Sequence, residues 1–123
     1  VASHANAYEF IANPRNLTDE LIRGVADSGG VIGVNFYPPF LTGENDSAIF
    51  DIVRHLQYLI QIGGEDVVAI GSDFDGMALS PAVSDASQMQ RLYDEMKKAG
   101  LKNTVVEKVF YKNALRVLKD YFN

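Results

Sequence analysis

Residues 67–76 read Val-Val-Ala-Ile-Gly-Ser-Asp-Phe-Asp-Gly. The apolar run Val67 to Ile70 ends at Gly71 and delivers two carboxylates, Asp73 and Asp75, on either side of Phe74. Carboxylates at the carboxyl end of a buried strand stand where α/β folds place their ligands. Taken alone, the same stretch also fits a solvated turn, since Asp and Gly are common turn residues. Other residues add to it. His4 closes a short apolar stub, and Asn35 and Tyr37 close the run Val31 to Phe36. In parallel strands these positions and Asp73 project from one rim. A His beside carboxylates on such a rim is a metal-site candidate, because imidazole nitrogen suits Zn²⁺. Arg15 follows Pro14, and its planar fork suits a carboxylate or phosphate. On position alone Arg15 also fits a surface residue at a helix entry.

The elements that position these residues alternate. Val1–Ser3 reads as a strand stub. Thr18 reads as the N-cap of a helix running to about Ser28, with Leu21, Ile22, Val25 and Ala26 on one face. Val31 to Phe36 is the second strand, ended by Pro38-Pro39. A longer helix spans about Ser47 to Ile62, burying Ile49, Ile52, Val53, Leu56, Leu59 and Ile60. Val67 to Ile70 is the third strand. A helix from about Asp85 to Ala99 stops at Gly100. Thr104-x-x-Glu107 has the capping-box pattern and opens the last helix, with Val105, Val109, Leu115 and Leu118 near helical spacing. This alternation means βα units with parallel pairing. The expected fold is α/β, about three C-terminal βα units of a partial (β/α)8 TIM barrel. A full barrel takes roughly 200 residues or more, and this chain has 123.

Composition narrows the class. Hydrophobic residues make up 47% of the chain, which fits one globular domain. The net charge of −5 argues against nucleic acid or an anionic membrane as partner. No apolar run approaches the ~18 residues of a membrane span. Val1 to Ala7 shows neither the basic region nor the apolar core of a signal peptide. There is no cysteine, hence no disulfide and no thiolate metal site. A cytoplasmic location is expected.

Four segments, taken in order, carry a family resemblance. They are Ser3-His4-Ala5-Asn6-Ala7, Asn13-Pro14-Arg15-Asn16-Leu17-Thr18-Asp19, Gly30 to Tyr37, and Gly71-Ser72-Asp73-Phe74-Asp75-Gly76. Together they resemble the membrane (renal-type) dipeptidase family of zinc peptidases, and Lys112 to Leu118 resembles that family's C-terminal helix. The likeness covers nearly the whole chain. It implies a barrel metallopeptidase with two zinc ions, cleaving dipeptides and tolerating a D-residue at the C-terminal position. By the same resemblance His4 is a zinc ligand and Asp73 the acid/base group. Arg15 would meet the substrate or its tetrahedral intermediate, and Tyr37 and Phe40 would shape the pocket. Two zinc ions would activate a hydroxide and polarise the peptide carbonyl, while the carboxylate passes the proton to the departing nitrogen.

The chain also departs from that family. The His-x-Asp metal pair, the bridging Glu and a further His are absent, leaving one presumptive ligand of about five. A dinuclear site is not expected from these residues alone. The chain is expected to be the C-terminal part, residues 1–123, of one dipeptidase barrel domain, inactive in isolation. Open strand edges would favour self-association or pairing with the missing N-terminal part. Two other readings stay open: a non-catalytic half-barrel interaction module, and another barrel metal-dependent amidohydrolase. His55 reads as a packing or surface residue, Met89 and Met96 as core filler, and Asp75 as a residue holding its loop. Asn113 breaks a helical pattern and could bond a strand-end loop.

Overall fold

A computed structural model describes residues 1–72, 82–83 and 85–122. Two parallel strands, β1 (Ile32–Asn35) and β2 (Val68–Ser72), pair in register Ile32 to Val68, Gly33 to Ala69 and Val34 to Ile70. Ala2 joins β1 on its other edge by a single parallel bridge to Ile32, so the expected stub Val1–Ser3 is reduced to one paired residue. Side chains alternate across strands. Ile32, Val34 and Val68 therefore share a face, and all three are fully buried in the core with Ile22, Phe36, Leu56 and Leu59. The opposite face carries only small or polar residues: Gly33, Asn35, Ala69 and Gly71.

Helices cover the apolar face. Helix α1 (Asp19–Asp27) starts at the expected cap, with Thr18 Oγ1 accepting from Leu21 N at 3.4 Å. Its buried stripe is narrower than expected: Ile22 is buried and Leu21 points to solvent. A short helix α2 (Pro38–Thr42) follows β1 directly. Pro38-Pro39 does end the strand, but proline at the first helical position also opens helices, because its missing N–H is not needed there. Helix α3 (Ile49–Gly63) begins where the Asp51 carboxylate accepts from Ala48 N at 2.7 Å, and it buries Ile52, Val53, Leu56 and Leu59. A 3₁₀ turn (Ala86–Gln88) leads into α4 (Met89–Lys98), where Met96 is buried and Met89 packs against the core as filler.

The last helical run comprises α5 (Asn103–Glu107), a π-helical turn (Lys108–Lys112) and α6 (Asn113–Phe122). The Thr104–Glu107 capping box does not form. Lys102 occupies the cap position, so Thr104 is already the second residue of the helix. Leu115 and Leu118 are exposed rather than buried. The step from Val109 to Leu115 is six residues, which turns the helix to its far side. Asn113 takes the buried position instead. Its Nδ2 donates to the carbonyls of Glu65 and Val68, both at 2.8 Å. Lys108 pairs with Glu65 and Asp66, and Arg116 Nη2 donates to the carbonyls of Gly29 and Gly30. The last helix thus pins the segments that enter β1 and β2, at the end of the sheet opposite the candidate rim.

Candidate functional site at the strand ends

The backbone ladder explains how His4 is presented. Gly33 N donates to Ala2 O at 2.7 Å, and Gly33 O accepts from Ala5 N at 2.9 Å. A regular parallel ladder would return to Gly33 from residue 4. One extra residue is therefore accommodated at Ser3-His4, and a bulge of this kind re-aims a side chain at the end of a strand. His4 is exposed there. The displaced Ser3 carbonyl passes over Gly33 and Gly71, where a Cβ on either glycine would lie 2.3 Å from it.

Beyond the bulge a side chain continues the ladder. Asn6 Nδ2 donates to Asn35 O at 2.9 Å, and Asn6 Oδ1 accepts from Asn35 N at 2.8 Å. Both asparagines are fully buried. Asn35 Oδ1 then accepts from Tyr37 N at 2.7 Å. One amide thereby fixes the His4 segment against the strand end that carries Tyr37. The ladder between β1 and β2 shifts register at Asn35 and Ser72, and Ser72 takes a left-handed φ of 35°. That conformation is uncommon for a non-glycine residue and sits directly before the predicted Asp73. Asp73 and Asp75 lie outside the described residues, as does most of the segment after them.

Arg15 comes from the loop between the stub and α1. Asn13 Oδ1 accepts from Arg15 N at 2.9 Å, an Asx turn that sets the loop. Leu17 N donates to Asn6 O at 2.7 Å, which brings this loop beside the His4 segment. Asn16 Nδ2 donates to the carbonyls of Ile11 and Phe40, at 3.1 and 3.0 Å. The exposed Arg15 guanidinium carbon lies 5.6 Å from the centre of the Phe40 ring, within cation–π range. Phe40 meets Tyr37 edge-on at 5.0 Å. Three residues expected at the substrate site, Arg15, Phe40 and Tyr37, are therefore in one cluster. His4 reaches the same rim through the backbone ladder.

The buried His55 was expected only to pack or to face solvent. Its Nδ1 accepts from Ala7 N at 3.1 Å and its Nε2 lies 2.9 Å from Leu41 O. Burial holds the imidazole below its ordinary value of 6.5, with nearby Arg54 adding to the effect. The Leu41 carbonyl and Asp51 oppose it. Its place was partly readable: Ile52, His55, Leu56 and Leu59 form one helical face. Asn6 and Asn16, beside His4 and Arg15 in sequence, gave no periodic signal at all.

This lowered value has a consequence for stability. Between the folded value and 6.5 the unfolded chain binds the proton and the folded chain does not. Stability therefore rises with pH through that window and is complete above it. It is expected to fall on acidification below 6.5, by at most about 1.4 kcal/mol per pH unit from this group, and to level once the folded ring protonates. Urea midpoints across pH for wild type and His55→Gln check this. Their difference removes the background of the carboxylates, and identical pH profiles would exclude the effect.

Among the described residues no group of three or more His, Asp or Glu side chains is placed to hold a metal ion. These residues do not fit a complete metal centre. They offer His4 alone from the expected set.

A family model described as membrane dipeptidase, Peptidase family M19, matches residues 1–122. The chain belongs to that family. An uncharacterised protein from the pqqA 5′ region of Klebsiella pneumoniae is 45% identical to this dipeptidase-family chain, over 98% of it and 46% of that protein. Dipeptidase ataJ of Aspergillus terreus is 33% identical over 97% of this chain and 30% of its own length. A metallo peptidase of Rhodobacter sphaeroides, solved with a phosphinate mimic of the dipeptide L-Ala-D-Ala, is 31% identical. It superposes with a TM-score of 0.87 over 94% of this chain and 34% of that one. The chain thus spans less than half the length of each of these relatives. The α/β arrangement of parallel strands and helices is shared with this family. Among the described residues no helix is long and apolar enough to cross a membrane.

Proposed function

We propose that these 123 residues are the C-terminal part of a zinc-dependent dipeptidase barrel, supplying substrate-binding and proton-transfer groups to a site completed by the rest of the protein. The observation that carries this reading is the Arg15–Phe40–Tyr37 cluster, tied through Asn6 and Asn16 to the His4 bulge in a chain of this family. In a complete site His4 would be one metal ligand, and the other ligands would come from outside these residues. Arg15 meets the anionic end of the substrate or the charge that develops on its carbonyl oxygen. Phe40 and Tyr37 wall the pocket and hold the guanidinium in place. Asp73, following the left-handed Ser72, takes and returns the proton of peptide cleavage. A D-residue at the C-terminal position of the dipeptide is accepted.

The small-residue face of Gly33, Ala69 and Gly71 suits the interior of a barrel lined by a polar site. The exposed stripe Tyr111, Leu115, Leu118 and Phe122 supports a further proposal, that the N-terminal part packs on α6 and pairs with the open sheet edge.

The test is hydrolysis of L-Ala-D-Ala with added zinc, by this chain alone and after co-expression with the complementary segment of the Klebsiella relative. The chain alone is expected to show no turnover. The complemented protein is expected to turn over substrate and to lose that activity in Asp73→Ala. A stable, zinc-loaded complemented protein without dipeptidase activity would overturn the reading.

A further inference from the structure

We infer that His55 is a positioning residue that sets the spacing between the segment carrying His4 and helix α2, which carries Phe40. Its side chain bonds to the backbone of both. Ala7 N–H, three residues past His4, donates to Nδ1 at 3.1 Å. Leu41 O, one residue past Phe40, lies 2.9 Å from Nε2. These two partners dictate the proton's place. An amide N–H can only donate and a carbonyl can only accept, so Nδ1 carries the lone pair and Nε2 the hydrogen. The ring is neutral and in one tautomer, and a second proton would set two donors against each other at Ala7.

The surroundings favour the same state. The ring is 1% exposed, and Phe10 meets it edge-on at 5.2 Å. Arg54, the neighbour on α3, places its guanidinium carbon 4.4 Å from the centre of that Phe10 ring. Asp51, one turn earlier on α3, has its carboxylate engaged by Ala48 N. The imidazole is thus a rigid spacer, held on a long helix, between the irregular segment that follows His4 and the short helix α2. Asn16 clamps the neighbouring pair, Ile11 and Phe40. Removing the imidazole removes the link between Ala7 and Leu41 and leaves Asn16 as the side-chain clamp on the Phe40 backbone. The importance of this spacing for catalysis rests on the dipeptidase reading, but the spacing itself does not.

The experiment uses this chain labelled with nitrogen-15. Ring nitrogen shifts and couplings at neutral pH are expected to show the neutral Nε2–H tautomer for His55. Two variants then separate positioning from packing. His55→Leu keeps an apolar side chain of similar bulk and loses both hydrogen bonds. It is expected to fold with a cooperative transition, yet to lose about tenfold of the exchange protection at the Ala7 amide. The amide signals of His4, Tyr37 and Phe40 are expected to shift or broaden with it. His55→Gln, which can accept from Ala7 and donate to Leu41, is expected to restore them. A purely structural histidine would lower the unfolding midpoint and leave those signals in place in the folded protein. That result would overturn the inference, as would an Nδ1–H tautomer in the wild type. Should His55→Leu fail to fold, the tautomer and the Gln variant decide the question. No readout uses a substrate, so failure here is distinct from failure of the dipeptidase reading.

Discussion

Gly71→Ala is expected to destabilise the chain by about 3 kcal/mol, the upper part of the range for forcing atoms into a packed site. A Cβ at this position would lie 2.3 Å from Ser3 O and 2.6 Å from Gly33 O. Both are backbone atoms, so no flexible side-chain end can move aside. Either the Ser3-His4 bulge must lift or β2 must separate from β1, and each sacrifices ladder hydrogen bonds. For a chain of this size the loss corresponds to a drop in Tm on the order of 10 °C. Gly24→Ala in α1 is the matched control, because nothing lies within 4 Å of its added Cβ. It replaces a helix-interior glycine and is expected to be neutral or to stabilise by up to about 1 kcal/mol. Thermal melts of the two variants side by side check both expectations. Equal midpoints would sink the claim that the glycine face exists to admit the bulge.

That close approach marks where sequence patterns stop being informative. The apolar runs around β1 and β2 announce strands through composition alone, and the face Ile52, Leu56, Leu59 announces α3 through its period. Those signals are local, and the elements form where they point. The bulge at Ser3-His4 depends on which amide reaches Gly33 O, a contact between segments about thirty residues apart. No periodicity encodes it. The glycines of the Val-Ile-Gly-Val-Asn and Ala-Ile-Gly-Ser runs read as strand and turn residues, whereas their shared role is to let one carbonyl pass. Helix α2 was hidden because Pro38-Pro39 carries two meanings, strand stop and helix start, and the sequence pattern favoured the first. The Thr104–Glu107 box failed for a related reason: the backbone turns into the helix earlier, at Lys102. At the rim, the motif residues Arg15, Tyr37 and Phe40 were legible through family likeness. The groups that hold them, Asn6, Asn16 and His55, were not, since a buried amide or imidazole looks like any surface polar residue until its partners are known.

In the complemented protein described above, Arg15→Lys is expected to lower kcat about 10²-fold while leaving stability within ~0.5 kcal/mol of wild type. The separation follows from where Arg15 stands. Its side chain is exposed and makes no ion pair among the described residues, so the fold gains little from its charge. What positions it is the Asx turn at Asn13 and the face of Phe40, 5.6 Å from the guanidinium carbon. Lysine keeps the positive charge and discards the planar fork that both stacks on a ring and binds two oxygens at once. If charge alone mattered, lysine would rescue. If the fork matters, it will not, and the loss falls mainly on kcat, because a bidentate donor aimed at developing charge acts in the transition state more than in the ground state. Phe40→Leu supplies the complementary arm. It leaves the fork intact and removes the stacking surface, so it should cost less than Arg15→Lys and spread between kcat and KM. An Arg15→Lys enzyme with undiminished kcat would remove Arg15 from the proposed chemistry and leave it a surface residue at a helix entry.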